Sequence, residues 1–290
     1  MNVRRSASAL LALALLCSCG ERKAALPLSG KIDNTEQVVE AIRSGLRGHA
    51  KRITISFRYG GDIYEELNAA VGGWVEASLA ETTESTEGDY LRCQLGGYSW
   101  DSAYSLEDGA WRYTVQIVPD YYDYLAQEEA VTAEVIALLE EFGFSEETPE
   151  DEKLETVYDF ICRNVRYDKV HKKNPYSHLK STAYGALVLR SATCQGYCAA
   201  LYRLLRECGV SCRIVRGAAG GEIHAWVIAE ADGRYYNLDP TWDAGAEEYR
   251  YFLAGSAAFS DHEPEARFLT EEFIRRYPVA RESYREEGWK

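Results

Sequence analysis

The apolar positions of this chain recur at two periods, and each change of period marks an element. Val38, Val39, Ile42 and Leu46 follow helical spacing behind Asn34 or Thr35, either of which can cap a helix. Arg52-Ile53-Thr54-Ile55-Ser56-Phe57-Arg58-Tyr59 alternates and predicts a strand. A second helix is expected from about Ile63 to Leu79, weakened by Gly72-Gly73. Tyr90 to Tyr98 and Trp111 to Val118 read as two further strands. Helical spacing returns over Gln127–Phe142 and Asp151–Val165. The second of these follows the start signal Thr148-Pro149-Glu150 and aligns Leu154, Val157, Tyr158 and Ile161. A polar, basic stretch from Lys169 to Lys180 reads as a loop.

From Thr182 the pattern begins to carry chemistry. Ser191-Ala192-Thr193-Cys194 leads into a helix with Cys198, Leu201, Leu205 and Cys208 at helical spacing, stopped by Gly209. Cys194 therefore stands at a helix N-terminus, where the macrodipole and free N–H groups favour a thiolate. A cysteine in that place is also a good small buried hydrophobe. Val210–Val215 is a strand, Gly217-Ala218-Ala219-Gly220-Gly221 a flexible loop, and Ile223–Glu230 a second strand. Asp232-Gly233 is a two-residue hairpin signal joining it to Arg234–Asp239. Pairing Ala231 with Arg234 sets Trp226 opposite Asp239, so His224 and Asp239 lie diagonally on one face, within mutual reach. Alone, His224 is an ordinary half-buried histidine and Asp239 a polar strand end; together with Cys194 they have the form of a nucleophile, a base and an orienting group.

The chain begins with Arg4-Arg5 and the apolar run Ala9–Leu16, too short to span a bilayer but suited to a signal peptide. Leu16-Cys17-Ser18-Cys19 resembles a bacterial lipoprotein cleavage site with Cys19 as the lipidated residue, which would anchor the chain to a membrane on the extracytoplasmic side. The expected division is a leader over 1–18, a tether over 19–33, an N-terminal α/β domain over 34–125 and a C-terminal domain over 126–290. Loss of the leader, with Arg4 and Arg5, takes the formal net charge from −14 to −16. Such acidity argues against nucleic acid as a partner. Cys93, Cys162, Cys198, Cys208 and Cys212 could enter disulfides, but their pairing is not legible. The clustered cysteines 194, 198, 208 and 212 lack the tight Cys-x2-Cys knuckle of common zinc sites, so no metal site is read.

Ala183-Tyr184-Gly185-Ala186-Leu187, Thr193-Cys194-Gln195-Gly196-Tyr197, Ile223-His224-Ala225-Trp226 and Tyr235–Asp243 together resemble the signatures of bacterial transglutaminase-like proteins. The likeness extends from Asn164-Val165-Arg166-Tyr167-Asp168 to Tyr251-Phe252-Leu253 and Asp261-His262. It implies a papain-like α+β core, a Cys-bearing helix packed on an antiparallel sheet that carries His and Asp. It also implies roles: Cys194 as nucleophile, His224 as its base, Asp239 as orienting residue. Gln195 is a candidate oxyanion donor beside the Cys194 N–H. Tyr184, Trp226 and Trp242 are expected to line the cleft, whereas Tyr167, Asp168 and His262 read as core or turn residues. The implied activity is attack on amide bonds of peptides, proteins or cell-wall peptides through a thioester, without a cofactor, hydrolysis ahead of transamidation. The competing reading is a surface-anchored module that binds peptides or cell wall in the same cleft without turnover.

Overall fold

The computed structural model describes residues 35–169 and 178–284, together with Leu11–Ala12. Apart from that dipeptide, the expected leader, Cys19 and the tether lie outside the described residues, as does most of the basic stretch after Lys169. No described helix is long and apolar enough to cross a membrane. The chain divides into two compact units: residues up to 121 without 83–85, and residues 83–85 with 122–290.

In the first unit, α1 (Thr35–Arg47) and α2 (Tyr64–Ser78) accompany a four-stranded antiparallel sheet of β1 (Leu11–Ala12), β2 (Ile53–Tyr59), β3 (Leu95–Glu107) and β4 (Ala110–Tyr121), in the order β1-β3-β4-β2. Period-2 burial of Ile53, Ile55 and Phe57 on β2 and of Tyr113, Val115 and Ile117 on β4 presents one apolar face. The helical stripes Val38, Ile42 and Leu46 of α1 and Leu67, Val71 and Trp74 of α2 complete that core. The strand expected at Tyr90–Tyr98 is only partly one. Asp89–Gln94 forms the short helix α3, and the chain extends from Leu95. Gly88, at φ 62°, turns the backbone there, and the Asp89 N–H donates to Glu81 Oε1 at 2.7 Å. A short run rich in buried residues satisfies either period, and here the turn decides.

The second unit opens with α4 (Leu125–Phe142) and α5 (Glu150–Asn164). The dipeptide strands β5 (Arg166–Tyr167) and β6 (Ser191–Ala192) pair in parallel around a 3-10 turn, His178–Ser181, and α6 (Ala183–Leu187). Helix α7 (Cys194–Glu207) follows, buried throughout from Gly196 to Leu205. The antiparallel sheet runs β10-β7-β8-β9, from β7 (Cys212–Ala219), β8 (Glu222–Ala231), β9 (Arg234–Leu238) and β10 (His262–Pro264). Between β9 and β10 lies the single helical turn α8 (Pro240–Asp243), and α9 (Glu271–Arg276) comes last. The molecule is thus α+β, with antiparallel larger sheets and a helix that starts at Cys194 packed against β7 and β8.

The segment expected to be a flexible loop, Gly217–Gly221, is mostly strand. Gly217, Ala218 and Ala219 pair with both β8 and β10, and only Gly220 and Gly221 turn. Gly217 permits this, because a Cβ there would come within 2.0 Å of the Glu263 carbonyl oxygen.

Candidate active site

Cys194 is the first residue of α7, after Thr193 in extended geometry. The helix start is pressed onto the 3-10 turn: Thr193 N–H donates to Lys180 O at 2.8 Å. Gly196 makes the approach possible, since a Cβ would lie 2.6 Å from Lys180 O and 2.8 Å from the Ala192 Cβ. Tyr197 then ties α7 to the end of α5 by donating its hydroxyl to Val165 O at 2.5 Å. The motif Cys-Gln-Gly-Tyr is thus largely an instruction for seating a helix N-terminus. It leaves Cys194 half-buried and Gln195 one residue further on, also half-buried.

The β8–β9 hairpin keeps the register read from its turn. Asp232 and Gly233 take φ 50° and 76°, the two positive angles of a type I′ turn, and Ala231 pairs with Arg234 through to Val227 with Leu238. Asp239 then leaves the strand and caps α8, its Oδ1 accepting Thr241 N–H at 3.0 Å and Trp242 N–H at 3.3 Å. Its Oδ2 faces back across the sheet to His224 Nε2 at 2.8 Å. The His224 imidazole also hydrogen-bonds the Cys194 thiol.

Asp239 is wholly buried, and a second imidazole reaches the same oxygen: His262 Nε2 lies 3.1 Å from Oδ2. His262 sits on β10 opposite Ala219, and its Nδ1 meets Asp261 Oδ1 at 2.8 Å. Asp261 Oδ2 in turn accepts the Tyr251 hydroxyl at 2.7 Å. The position of Tyr251 is set by Asp243, which accepts Tyr251 N–H at 2.8 Å and the Tyr158 hydroxyl at 2.7 Å. Asp243 is therefore structural, although it belongs to the same sequence motif as Asp239.

These contacts set the charges. Burial works against a charged His224, but hydrogen bonds and charges from Asp239 and Cys194 outweigh it and push the imidazole up to about 9. Burial also disfavours the Asp239 anion, yet hydrogen bonds from His224 and His262 hold it below the ordinary carboxylate value. Two other cysteines behave differently: burial raises Cys162 well above a free thiol and Cys208 up to about 11. Both are therefore held as thiols, although Cys162 lines the cleft beside His224. All six cysteines among the described residues are free thiols.

A cleft of about 630 Å³ opens beside His224, lined among others by Trp242, Tyr167, Ile223 and Gly220. Trp242, expected in the cleft, and Tyr167, read as a core or turn residue, both stand on its wall. Tyr184 and Trp226 do not line this cleft. Tyr184 stays on α6, and Trp226 is 1% exposed, packed against Phe259 and His262 on the buried side of the sheet. His262, read as a core or turn residue, is buried and in addition touches the Asp239 carboxylate. The signal was the acid–imidazole pair Asp261-His262 itself, which lacked any sequence clue to what it faces.

His224, Asp239 and His262 are the one group among the described residues whose donor atoms, within 4.8 Å of one another, could suit a metal ion. Both Nε2 atoms lie within hydrogen-bonding distance of the same Oδ2, at 2.8 and 3.1 Å.

Residues 137–240 match the transglutaminase-like superfamily. Kyphoscoliosis peptidase of Mus musculus and that of Homo sapiens are each 27% identical to this chain over 139 residues, covering 39% of it. The match spans only 21% of each of those relatives. Two solved structures align at low similarity. A TGase is 15% identical with a TM-score of 0.38, over 55% of this chain and 48% of its own. A candidate cysteine protease from Cytophaga hutchinsonii is 12% identical with a TM-score of 0.33, over 59% and 69%.

Proposed function

Because the chain carries a transglutaminase-like domain over residues 137–240, we propose that it is a cysteine-dependent enzyme acting on amide bonds of peptides or proteins. The observation that carries this reading is the His224 ring, which meets the Asp239 carboxylate at 2.8 Å and interacts with the Cys194 thiol at the start of α7. His224 takes the thiol proton, and the Cys194 sulfur attacks the amide carbonyl carbon. The protonated His224 then gives that proton to the departing amine as the C–N bond breaks and a thioester remains. Water, deprotonated by His224, releases the acid and restores the thiol; a second amine in its place gives transamidation. Hydrolysis is the favoured outcome because water is always present. Asp239 fixes the ring and its tautomer. The Cys194 N–H at the helix start, with the Gln195 side chain, is the proposed oxyanion site.

The cleft narrows the substrate. Arg163, Arg166 and Lys169 line it against one acid, Glu222, in a chain of net charge −14. That wall favours peptides with carboxylates near the scissile bond, such as cell-wall peptides. The lipid anchor at Cys19 and an extracytoplasmic location belong to the same proposal and rest on the leader pattern alone.

The test is a pair of assays on the full chain: cleavage of an acidic fluorogenic peptide, and incorporation of a fluorescent primary amine into a glutamine peptide. Peptide cleavage lost in Cys194→Ala, and slower for the carboxyl-amidated peptide, supports the proposal. Amine incorporation without cleavage would replace hydrolysis by transamidation. No turnover in either assay, with the peptides still bound, would make the chain a binding module.

A further inference from the structure

Resting on that reading, we propose that Asp261 and the buried His262 form a second dyad that fixes the Asp239 carboxylate for His224, with His262 acting as a positioning residue. The Asp239 Oδ1 accepts two backbone N–H groups, from Thr241 and Trp242, and its Oδ2 accepts His224 and His262. A carboxylate offers about four acceptor directions, so each has a donor and the group cannot rotate without losing one. His262 supplies the donor that makes Oδ2 an anchored atom rather than a free partner of His224.

The chemistry of His262 supports this. Each ring nitrogen faces a carboxylate oxygen, Asp239 Oδ2 at 3.1 Å and Asp261 Oδ1 at 2.8 Å. The imidazole N–H that faces Asp239 is the donor the carboxylate needs, and the other ring nitrogen keeps the plane aligned with Asp261. The His262 side chain is 0% exposed, as is that of Asp239, while Asp261 is 32% exposed. Around His262 stand Phe259 at 3.8 Å between ring centroids, Trp242 at 4.7 Å, Trp226 at 5.0 Å and Tyr251 at 5.5 Å. These rings pack around the imidazole by faces and edges and fix its plane. The titratable and charged groups that face His262 are Asp239, Asp261, His224 and the Tyr251 hydroxyl, with Arg250 behind Asp261 at 3.4 Å.

A phenylalanine would fill the same aromatic box. The box therefore does not require a histidine; the two carboxylates do. The strand that delivers it is built for the purpose, since β10 is only three residues long and its approach depends on Gly217 having no Cβ.

The test is the rate at which iodoacetamide labels Cys194 in the full chain, read by peptide mass spectrometry near about pH 6. Four proteins are compared: the natural chain, His224→Ala, His262→Phe and His262→Gln. His262→Phe is expected to keep its melting transition and label about tenfold more slowly. His262→Gln, whose amide N–H can reach Oδ2, should recover most of the rate. A His262→Phe protein that labels like the natural chain, while His224→Ala is slow, overturns this inference alone. His262→Gln as slow as His262→Phe would also overturn it, because a donor would then not be what matters. If His224→Ala labels normally, the enzyme reading fails and takes this inference with it. Should His262→Phe not fold, Asp261→Asn replaces it: the box is intact and only the anion on Nδ1 is gone. That variant is expected to label about threefold more slowly, and an unchanged rate would overturn the inference.

Discussion

Each unit of the molecule buries an acid, and the two acids are answered differently. In the N-terminal unit Glu87, 4% exposed, receives Arg47 at 2.9 Å, Arg43 at 3.6 Å and the Thr82 hydroxyl at 2.8 Å. In the C-terminal unit Asp239, 0% exposed, receives two imidazoles and two backbone N–H groups. Guanidinium does not release its proton in water near neutrality, so the Glu87 cluster has a single state. Imidazole does release it, so the Asp239 cluster has several. The burial is alike and the geometry similarly tight; the partner decides whether a buried charge only holds the fold or can also move a proton.

Substitutions can break this contrast, and their effects should rank. Cys194→Ala should abolish peptide cleavage, by about 10⁴-fold or more, and barely change unfolding, because the side chain is half-buried. Asp239→Asn should lower kcat by about 10³-fold. Its amide can present N–H where the carboxylate accepted the His224 proton, which favours the wrong tautomer. Glu87→Gln should do the reverse, lowering stability by about 1–3 kcal/mol in urea unfolding while kcat per folded molecule stays the same. A change of pH profile in that variant would erase the distinction between the clusters.

The smallest effect is a pH dependence of stability. His224 is raised to about 9 by Asp239 and Cys194 against the pull of burial, from an ordinary value of 6.5. A raised histidine contributes stability that is full below its unfolded value and is lost as pH rises through the folded one. Unfolding free energy should therefore decline by up to about 3 kcal/mol between about pH 6.5 and 9, and His224→Ala should flatten that slope. An equal slope in both proteins would assign the decline to other groups.

Much of the second unit is legible in the sequence because its signals are local. Asp232-Gly233 fixes a turn type, the turn fixes the register, and the register sets His224 and Asp239 on one face. The helix from Cys194 is framed by Thr193 before it and Gly209 after it, at φ 83°. What escaped depends on partners distant in the chain. Gly217–Ala219 reads as a flexible loop until β10 arrives as its edge partner. Trp226 is expected in the cleft beside the Ile223-His224-Ala225-Trp226 motif, while Phe259 and His262 cover it. His262 itself gains meaning only where Asp239, Phe259 and Trp242 converge, which no window along the sequence displays. In the first unit Asp89–Gln94 escaped for a different reason: six residues are too few for a period to declare itself, and Gly88 settles the conformation.

The most direct test of the central claim is the pH dependence of Cys194 alkylation by iodoacetamide in the natural chain and in His224→Ala. The account predicts that Cys194 labels faster than Cys162 or Cys208, stays reactive below neutrality, and loses that reactivity without His224. Labelling of Cys194 that follows a free thiol's pH dependence in both proteins would contradict it.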